Sequence, residues 1–363
     1  MYIALTYNIK KEEKTEIIDS KGVRETHSAV INKYLDKNLL ENYPERIDDT
    51  FAEWDCEETI NAVKDALELN GHNVELIEAD ADAFEKIKNI KPDFVFNVAE
   101  GYYGASRESQ IPSILEMLNI PFTGSDSITT GICHDKSRCK EILSYYKIPN
   151  PEFFITDKIL NNSAELSYPK FVKPLHEGSS KGIYNSSVVN NLQELNNEII
   201  RIKEMYAQMS LVENFVGGRE FTVAMLGNGD DVKVLPVIEI NLDEVPEGFN
   251  KIYSYELKWF FDTRENKLDI FHCPANVNKE LYKKIENTCI DTFKCLRLRD
   301  WARIDIRLDE KNIPNIIEIN PLPGILPNPD DNSCYPKAAR VAGMDYNKMI
   351  NAVLNEAIKR YNN

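Results

Sequence analysis

The stretch Trp301-Ala302-Arg303-Ile304-Asp305-Ile306-Arg307-Leu308, a turn through residues 309–314, and then Asn315-Ile316-Ile317-Glu318-Ile319-Asn320 reads as a β-hairpin. Polar and apolar residues alternate, so Arg303 and Asp305 share one face of the first strand, as Glu318 and Asn320 do on the second. A register that sets Asp305 opposite Glu318 also sets Arg303 opposite Asn320. Two carboxylates, an amide oxygen and a guanidinium then meet on one patch. Hard oxygen donors suit Mg²⁺, which keeps waters and shares a nucleotide's phosphates. The same alternation also fits the solvated outer face of a hairpin. The next residues, Pro321-Leu322-Pro323-Gly324-Ile325-Leu326-Pro327, weigh toward the metal. A proline-bounded turn with one glycine can aim backbone N–H groups at an oxyanion, and an exposed hairpin has no need of one.

Upstream, residues 170–173 form a strand that runs into Pro174-Leu175-His176-Glu177-Gly178-Ser179-Ser180-Lys181-Gly182. Small residues between glycines let backbone N–H groups approach phosphate oxygens, and Lys173 adds a fixed cation. The loop lacks the Walker A spacing, and a surface turn has a similar composition. Elsewhere, strand patterns at 2–7, 73–77 and 93–98 alternate with helical spacing at 59–69 and 110–118. That order predicts a parallel α/β domain ending near residue 126, carrying a charge-rich insertion at about 10–50. A second unit holds helices at 137–146 and 192–209. A third starts near 211 and holds β-branched strands, a helix at 279–296, the hairpin and a last helix at 346–360. The expected fold class is α/β (α+β), with domains at 1–128, 129–209 and 210–363.

A chain of 363 residues suits two or three such domains. Its net charge of −16 disfavours nucleic acid or an anionic membrane surface as partner. No apolar run approaches the ~18 residues of a membrane span, and the N-terminal run is too short for a signal peptide. The seven cysteines are scattered without a C-x-x-C pair, which fits free thiols in the cytoplasm.

Taken together, the motifs resemble those of the D-alanine–D-alanine ligase family of the ATP-grasp superfamily. KPLHEGSSKG (173–182) is similar to its phosphate loop, VENFVGGREFTVAML (212–226) to its hinge and adenine segment, and YSYELKW (253–259) to its mobile loop. ARIDIRLD (302–309), EINPLPG (318–324) and YPKAARVAG (335–343) are similar to its metal, oxyanion and C-terminal signatures. The resemblance implies a three-domain ATP-grasp ligase that makes an acyl phosphate and then an amide from small amino-acid-like substrates. It implies Lys136, Lys173, Ser180 and Lys258 at the nucleotide phosphates, Glu213 and Val216 at adenine, and Glu220 at the ribose. Asp305, Glu318 and Asn320 match the ligands of two Mg²⁺ ions, which Mn²⁺ can replace. Arg303 and the Gly324 backbone match the groups that hold the oxyanion, while Ser179 and Ser333 match positions that touch substrate.

Three departures bear on the substrates. The family's N-terminal glutamate signature is missing, and Ala52-Glu53-Trp54-Asp55 stands in its place. Glu53 could hold a substrate ammonium, with Asp55 a rival and helix capping the plainer role for either. The loop Asn97–Ser109 (NVAEGYYGASRES) replaces the family's histidine loop, and Trp259 stands where the dipeptide ligases carry tyrosine. The acceptor is therefore expected to differ. Asp330 or Asp331, in the lengthened loop NPDDN, could read a cation on it or could belong to a solvated loop. Two other classes stay open: acyl transfer to a carrier thiol or hydroxyl, and a nucleotide-binding regulatory protein without turnover. A homodimer is compatible with the resemblance.

Overall fold

The computed structural model describes residues 1–10, 16–18, 24–26, 49–162, 165–245, 247–262 and 268–362. Strand β1 (Tyr2–Tyr7) opens the chain; β2 (Glu16–Ile18) and β3 (Arg24–Thr26) pair as a short antiparallel hairpin. The rest of the expected 10–50 insertion lies almost wholly outside the described residues.

Helix α1 (Glu57–Leu69), strand β4 (Asn73–Glu78), helix α2 (Ala83–Ile90), strand β5 (Phe94–Asn97) and helix α3 (Gln110–Leu118) complete the first layer. The sheet is parallel, in the order β4-β1-β5. Strands β1 and β5 are short runs buried on both faces, as helix-covered parallel strands are, while β4 at the edge exposes Asn73 and Glu75. Val63, Ala66 and Leu67 of α1 cover one face, while Ile87 of α2 and Ile111 and Leu115 of α3 cover the other. Helix α2 escapes the sequence reading because only Ala83 and Ile87 of its eight residues are buried. Left-handed residues Lys91 and Asn119 end α2 and α3.

Helices α4 (Ser127–His134) and α5 (Lys136–Tyr145) follow almost without a break. Asp135 ends the first and caps the second, accepting from the backbone N–H groups of Ser137 and Arg138. Strands β6 (Phe153–Thr156), β7 (Lys170–Pro174), β8 (Val188–Val189) and β9 (Ser210–Asn214) make an antiparallel sheet ordered β6-β9-β7-β8. Helix α6 (Leu192–Tyr206) packs Leu195, Ile199 and Ile202 on it. It stops at Ala207, left-handed at φ 51°, three residues before the expected end at 209.

The third sheet contains β10 (Glu220–Leu226), β11 (Lys233–Val234), β12 (Ile238–Ile240), β13 (Phe271–His272), β14 (Trp301–Leu308) and β15 (Pro314–Asn320). Its order is β13-β12-β10-β14-β15, with β11 on β10. Helix α7 (Lys279–Cys295) covers one face through Ile285, Cys289 and Phe293. On the other, α8 (Cys334–Val341) and α9 (Tyr346–Asn362) carry the core back to α1 and β1. Ile304 and Ile306 are fully buried, each worth about 1.5–3 kcal/mol. This inward row fixes the face that Arg303 and Asp305 present.

The mixed α/β architecture agrees with the fold class expected from the sequence. Among the described residues, no helix is long and apolar enough to cross a membrane.

Candidate active site

Strands β14 and β15 pair with Arg303 opposite Asn320 and Asp305 opposite Glu318, the register anticipated from the alternation. The register shifts directly after Asp305, so the four polar groups lie on the regular side of a bulge. Arg303 donates from Nε and from its terminal nitrogen to Asp305, at 3.1 and 2.9 Å. Thr222, opposite Asp305 on β10, donates its hydroxyl to the same carboxylate at 2.6 Å, and the Asn320 amide lies 3.3 Å from it.

From α5, Lys136 places Nζ 2.9 Å from Glu318 Oε1 and donates to the Glu177 carbonyl. Lys173, at the end of β7, meets Glu213 at 2.9 Å and the Ile317 carbonyl at 3.4 Å. Lys140 reaches the other oxygen of Glu213 at 2.8 Å. Burial alone raises the Glu318 carboxyl, but Lys136 and then Lys173 outweigh it and hold the group ionised. Glu213 behaves likewise, with Lys140 and Lys173 as its counter-ions.

The loop between β7 and β8 turns on two consecutive left-handed serines, Ser179 at φ 51° and Ser180 at φ 60°. Such residues mark functional turns more often than plain connections. The Ser180 hydroxyl donates to the Tyr253 carbonyl at 2.9 Å, and the Tyr255 N–H donates to the Ile183 carbonyl at 2.7 Å. These bonds tie the loop to residues 253–259. On its other side, the Gly178 N–H donates to Glu53, and a Cβ at 178 would sit 2.8 Å from Glu53 Oε1. A side chain at 178 would therefore have to push the end of Glu53 aside. Glu53's second oxygen takes Arg107 at 2.6 Å. Burial raises this carboxyl, yet Arg107 and Lys181 pull it down to about 2. The Arg107 guanidinium also faces Glu177 at 3.5 Å, and Lys181 meets Glu177 at 2.9 Å.

Lys258 and Trp259 lie in a π-helical turn, Leu257–Phe261. Nζ of Lys10 and of Lys258 stand 4.9 and 5.4 Å from the Trp259 ring centroid. Burial first, then Arg303 and Lys10, lower the Lys258 ammonium to about 8. Ser333 braces the proline turn, its hydroxyl donating to the Gly324 carbonyl at 3.2 Å and accepting from the Leu326 N–H at 3.1 Å. Glu220 faces Arg307 at 3.6 Å. Phe171, Phe215, Val216, Ile252, Phe271 and Ile317 form an apolar wall beside them.

Most of these groups line one cavity of about 280 Å³, and Arg107, Lys140 and Lys181 stand outside its lining. It brings together Glu53, Lys136, Lys173, Ser179, Ser180, Glu213, Val216, Glu220, Lys258, Trp259, Arg303, Asp305, Glu318, Asn320, Gly324 and Ser333. Asp330 and Asp331 are not part of its lining. Their neighbour Asn332 is, donating to Asp262 at 2.6 Å. Sequence reading missed Lys10, Arg107, Lys140 and Thr222. Lys140, one helical turn after Lys136, and Thr222, two residues after Glu220 on the same strand face, carried a periodic signal. Arg107 carried none.

Among the described residues, no three His, Cys, Asp or Glu side chains gather as a metal cluster. The donor set at the hairpin is two carboxylates and an amide, which fits an ion that draws its other ligands from phosphates and water, as Mg²⁺ does.

Residues 143–355 match the family model described as D-ala D-ala ligase C-terminus. The chain is 32% identical over 298 residues to a D-alanine–D-alanine ligase of Aquifex aeolicus, covering 82% of this chain and 93% of that one. It is 33% identical over 316 residues to the uncharacterized protein y4sG of Sinorhizobium fredii, covering 85% and 90%. The D-alanine–D-alanine ligase of Bacillus anthracis complexed with ATP superposes with a TM-score of 0.68 at 22% identity, over 99% of this chain and 98% of that one. The VanG D-Ala:D-Ser ligase of Enterococcus faecalis gives 0.65 at 21%, over 98% and 99%. Among the three classes that the sequence left open, these matches select the amide-forming enzyme. The chain belongs to the D-alanine–D-alanine ligase family and is an ATP- and Mg²⁺-dependent ligase that forms carbon–nitrogen bonds.

Proposed function

We propose that the enzyme phosphorylates a small amino-acid carboxylate at the expense of ATP, then joins the acyl phosphate to an amine, releasing ADP and phosphate. The observation that carries this reading is the gathering of Asp305, Glu318 and Asn320 with Lys136, which pairs with Glu318, and Lys173 in one cavity that Gly324 also borders. Mg²⁺, as two ions, supplies neutralisation of phosphate charge when bound to Asp305, Glu318 and Asn320. Lys136, Lys173, Ser180 and Lys258 hold the phosphates; Glu213, Val216 and the apolar wall hold the base, and Glu220 the ribose. Arg303 and the Gly324 N–H receive the negative oxygen that develops when the amine attacks. Ser179, Trp259 and Ser333 face the substrates, and Glu53 holds the phosphate loop at Gly178. Tyr253–Trp259 shields the acyl phosphate from water.

The relatives named for D-alanine support an α-amino acid as one substrate. The proposed units 1–128, 129–209 and 210–363 each carry most of one sheet, although β9 (Ser210–Asn214) completes the sheet of the second unit, and seven free thiols fit a cytoplasmic setting. The test is ADP release over a panel of amino acids, singly and in pairs, with the amide followed by mass spectrometry. Release coupled to amide formation supports the reading. Release without amide under any pairing overturns it.

A further inference from the structure

The end of the cavity nearest the first sheet is walled by Asp55, Glu100, Glu108 and His134, beside Glu53 and Trp54. Glu53 is occupied by Arg107 and the Gly178 N–H. The carboxylates of Asp55 and Glu100 have no hydrogen bond or ion pair with any described residue, although both line the cavity. Burial and the neighbouring Glu108, Glu53 and Asp55 push the Glu100 carboxyl well above its usual range. Burial raises Asp55 to about 7. Among the described residues, the two carboxylates thus stand in a half-enclosed space with no cation in direct contact, and Lys10 and Arg107 act on Asp55 and Glu100 only from a distance.

His134 provides an independent observation. Its side chain is only 3% exposed, and Nδ1 lies 2.6 Å from Glu108 Oε1. With Nδ1–H on the carboxylate, the neutral ring presents Nε2 as a lone-pair acceptor. That nitrogen is buried and has no partner. A buried polar atom of this kind in a cavity wall requires a donor from elsewhere.

We infer that this end of the cavity reads a positively charged group on the substrate, an aliphatic ammonium beyond the groups that react, with Glu100 as its principal counter-ion. Once a cation draws them into the ionised form, Asp55 and Glu100 only accept, and an ammonium has three donors and no acceptor. Trp54, 6% exposed and edge-on to Tyr102 at 4.4 Å, offers an apolar side for the methylene stem. A hydroxyl or methyl in the same place leaves Asp55, Glu100 and His134 without donors, so the site discriminates against it. The substrate class is a diamino acid or a comparable basic amino acid. This inference rests on the ligase reading above and names the substrate of that same site.

The test uses the full-length enzyme with ATP and Mg²⁺, and compares lysine and ornithine with their uncharged isosteres norleucine and norvaline. The expected kcat/KM preference for the ammonium-bearing member is at least ~10²-fold. In Glu100→Gln the preference is expected to fall below tenfold through a higher KM for the ammonium substrate. Among the described residues Glu100 has no partner to lose, so the variant is expected to melt at or above the wild-type temperature. His134→Phe is expected to reduce the preference in the same direction. Amide formation without preference in the wild type, or a preference that survives Glu100→Gln, overturns the inference and leaves the ligase reading standing. Absence of amide from every substrate pair overturns both.

Discussion

At the hairpin end of the cavity, Glu318 faces Lys136 at 2.9 Å, Asp305 faces Arg303 at 2.9 Å, and Glu213 lies between Lys140 and Lys173. At the other end, among the described residues, Asp55 and Glu100 face no cation within hydrogen-bond reach, and His134 Nε2 has no partner. The first region balances its charge within the protein, so Glu213 and Glu318 are ionised and held before any ligand arrives. The second depends on a ligand for balance. The contrast separates chemistry from selection. Groups that act on every turnover are prepaired and rigid, while groups that choose among substrates keep their capacity open.

The largest effect that would sharpen this contrast comes from Glu318→Gln, which removes a proposed metal ligand and the partner of Lys136 together. ADP release is expected to fall about 10³-fold, and chelation of Mg²⁺ to abolish it. Retention of more than a tenth of the rate would break the assignment of the hairpin end to phosphate chemistry.

Arg107→Ala tests whether the two ends are mechanically joined. Arg107 is the cation shared by Glu53 and Glu177, with side chains 9, 7 and 6% exposed. Removing one partner of a buried pair costs about 3–5 kcal/mol, readable as a lower urea midpoint at unchanged slope. A loss under ~1 kcal/mol would mean that the strut from Glu53 to the phosphate loop holds nothing in place.

The same two ends differ in how much of them could be read from the sequence. The hairpin end was legible because a strand's period of two places Arg303 with Asp305 and Glu318 with Asn320 by geometry alone, and the inward isoleucines fix the sign of that geometry. The parallel first sheet was legible for a similar reason, as short apolar runs alternating with helical spacing. The other end joins residues 53–55, 100, 107–108 and 134 from separate loops and a helix start. No period links them, and Arg107 finds Glu53 across 54 residues of chain. Asp330 and Asp331 show the converse case, since neither lines the cavity. Their charge and position drew attention, yet the inward side chain of that loop belongs to neutral Asn332.

Gly178→Ala probes the join from the loop side. A Cβ 2.8 Å from Glu53 Oε1 must displace either the carboxylate or the loop. A shift near 1 Å in a phosphate-positioning loop lowers kcat/KM for ATP by about 10²-fold. Unfolding stability should change less than in Arg107→Ala, because no charge is left uncompensated. A variant with unaltered ATP kinetics would show that Glu53 and Gly178 touch without mattering to the nucleotide.

The smallest predicted effect concerns Lys258, where the two regions meet. Its ammonium is lowered to about 8 by burial, by Arg303 from the hairpin and by Lys10 from the first sheet. A lysine is charged below its pKa, so a phosphate contact from Lys258 is present in neutral solution and lost as pH rises. In free enzyme, kcat/KM for ATP should be flat up to about pH 7 and then fall, approaching tenfold per unit above about pH 9. Lys258→Arg keeps its charge at every working pH, so its alkaline limb should disappear. Lys10→Ala removes one repelling cation, so its limb should move to higher pH with little change on the plateau. A limb that stays in Lys258→Arg belongs to another group, and the turn at Leu257–Phe261 then positions Trp259 rather than a phosphate cation.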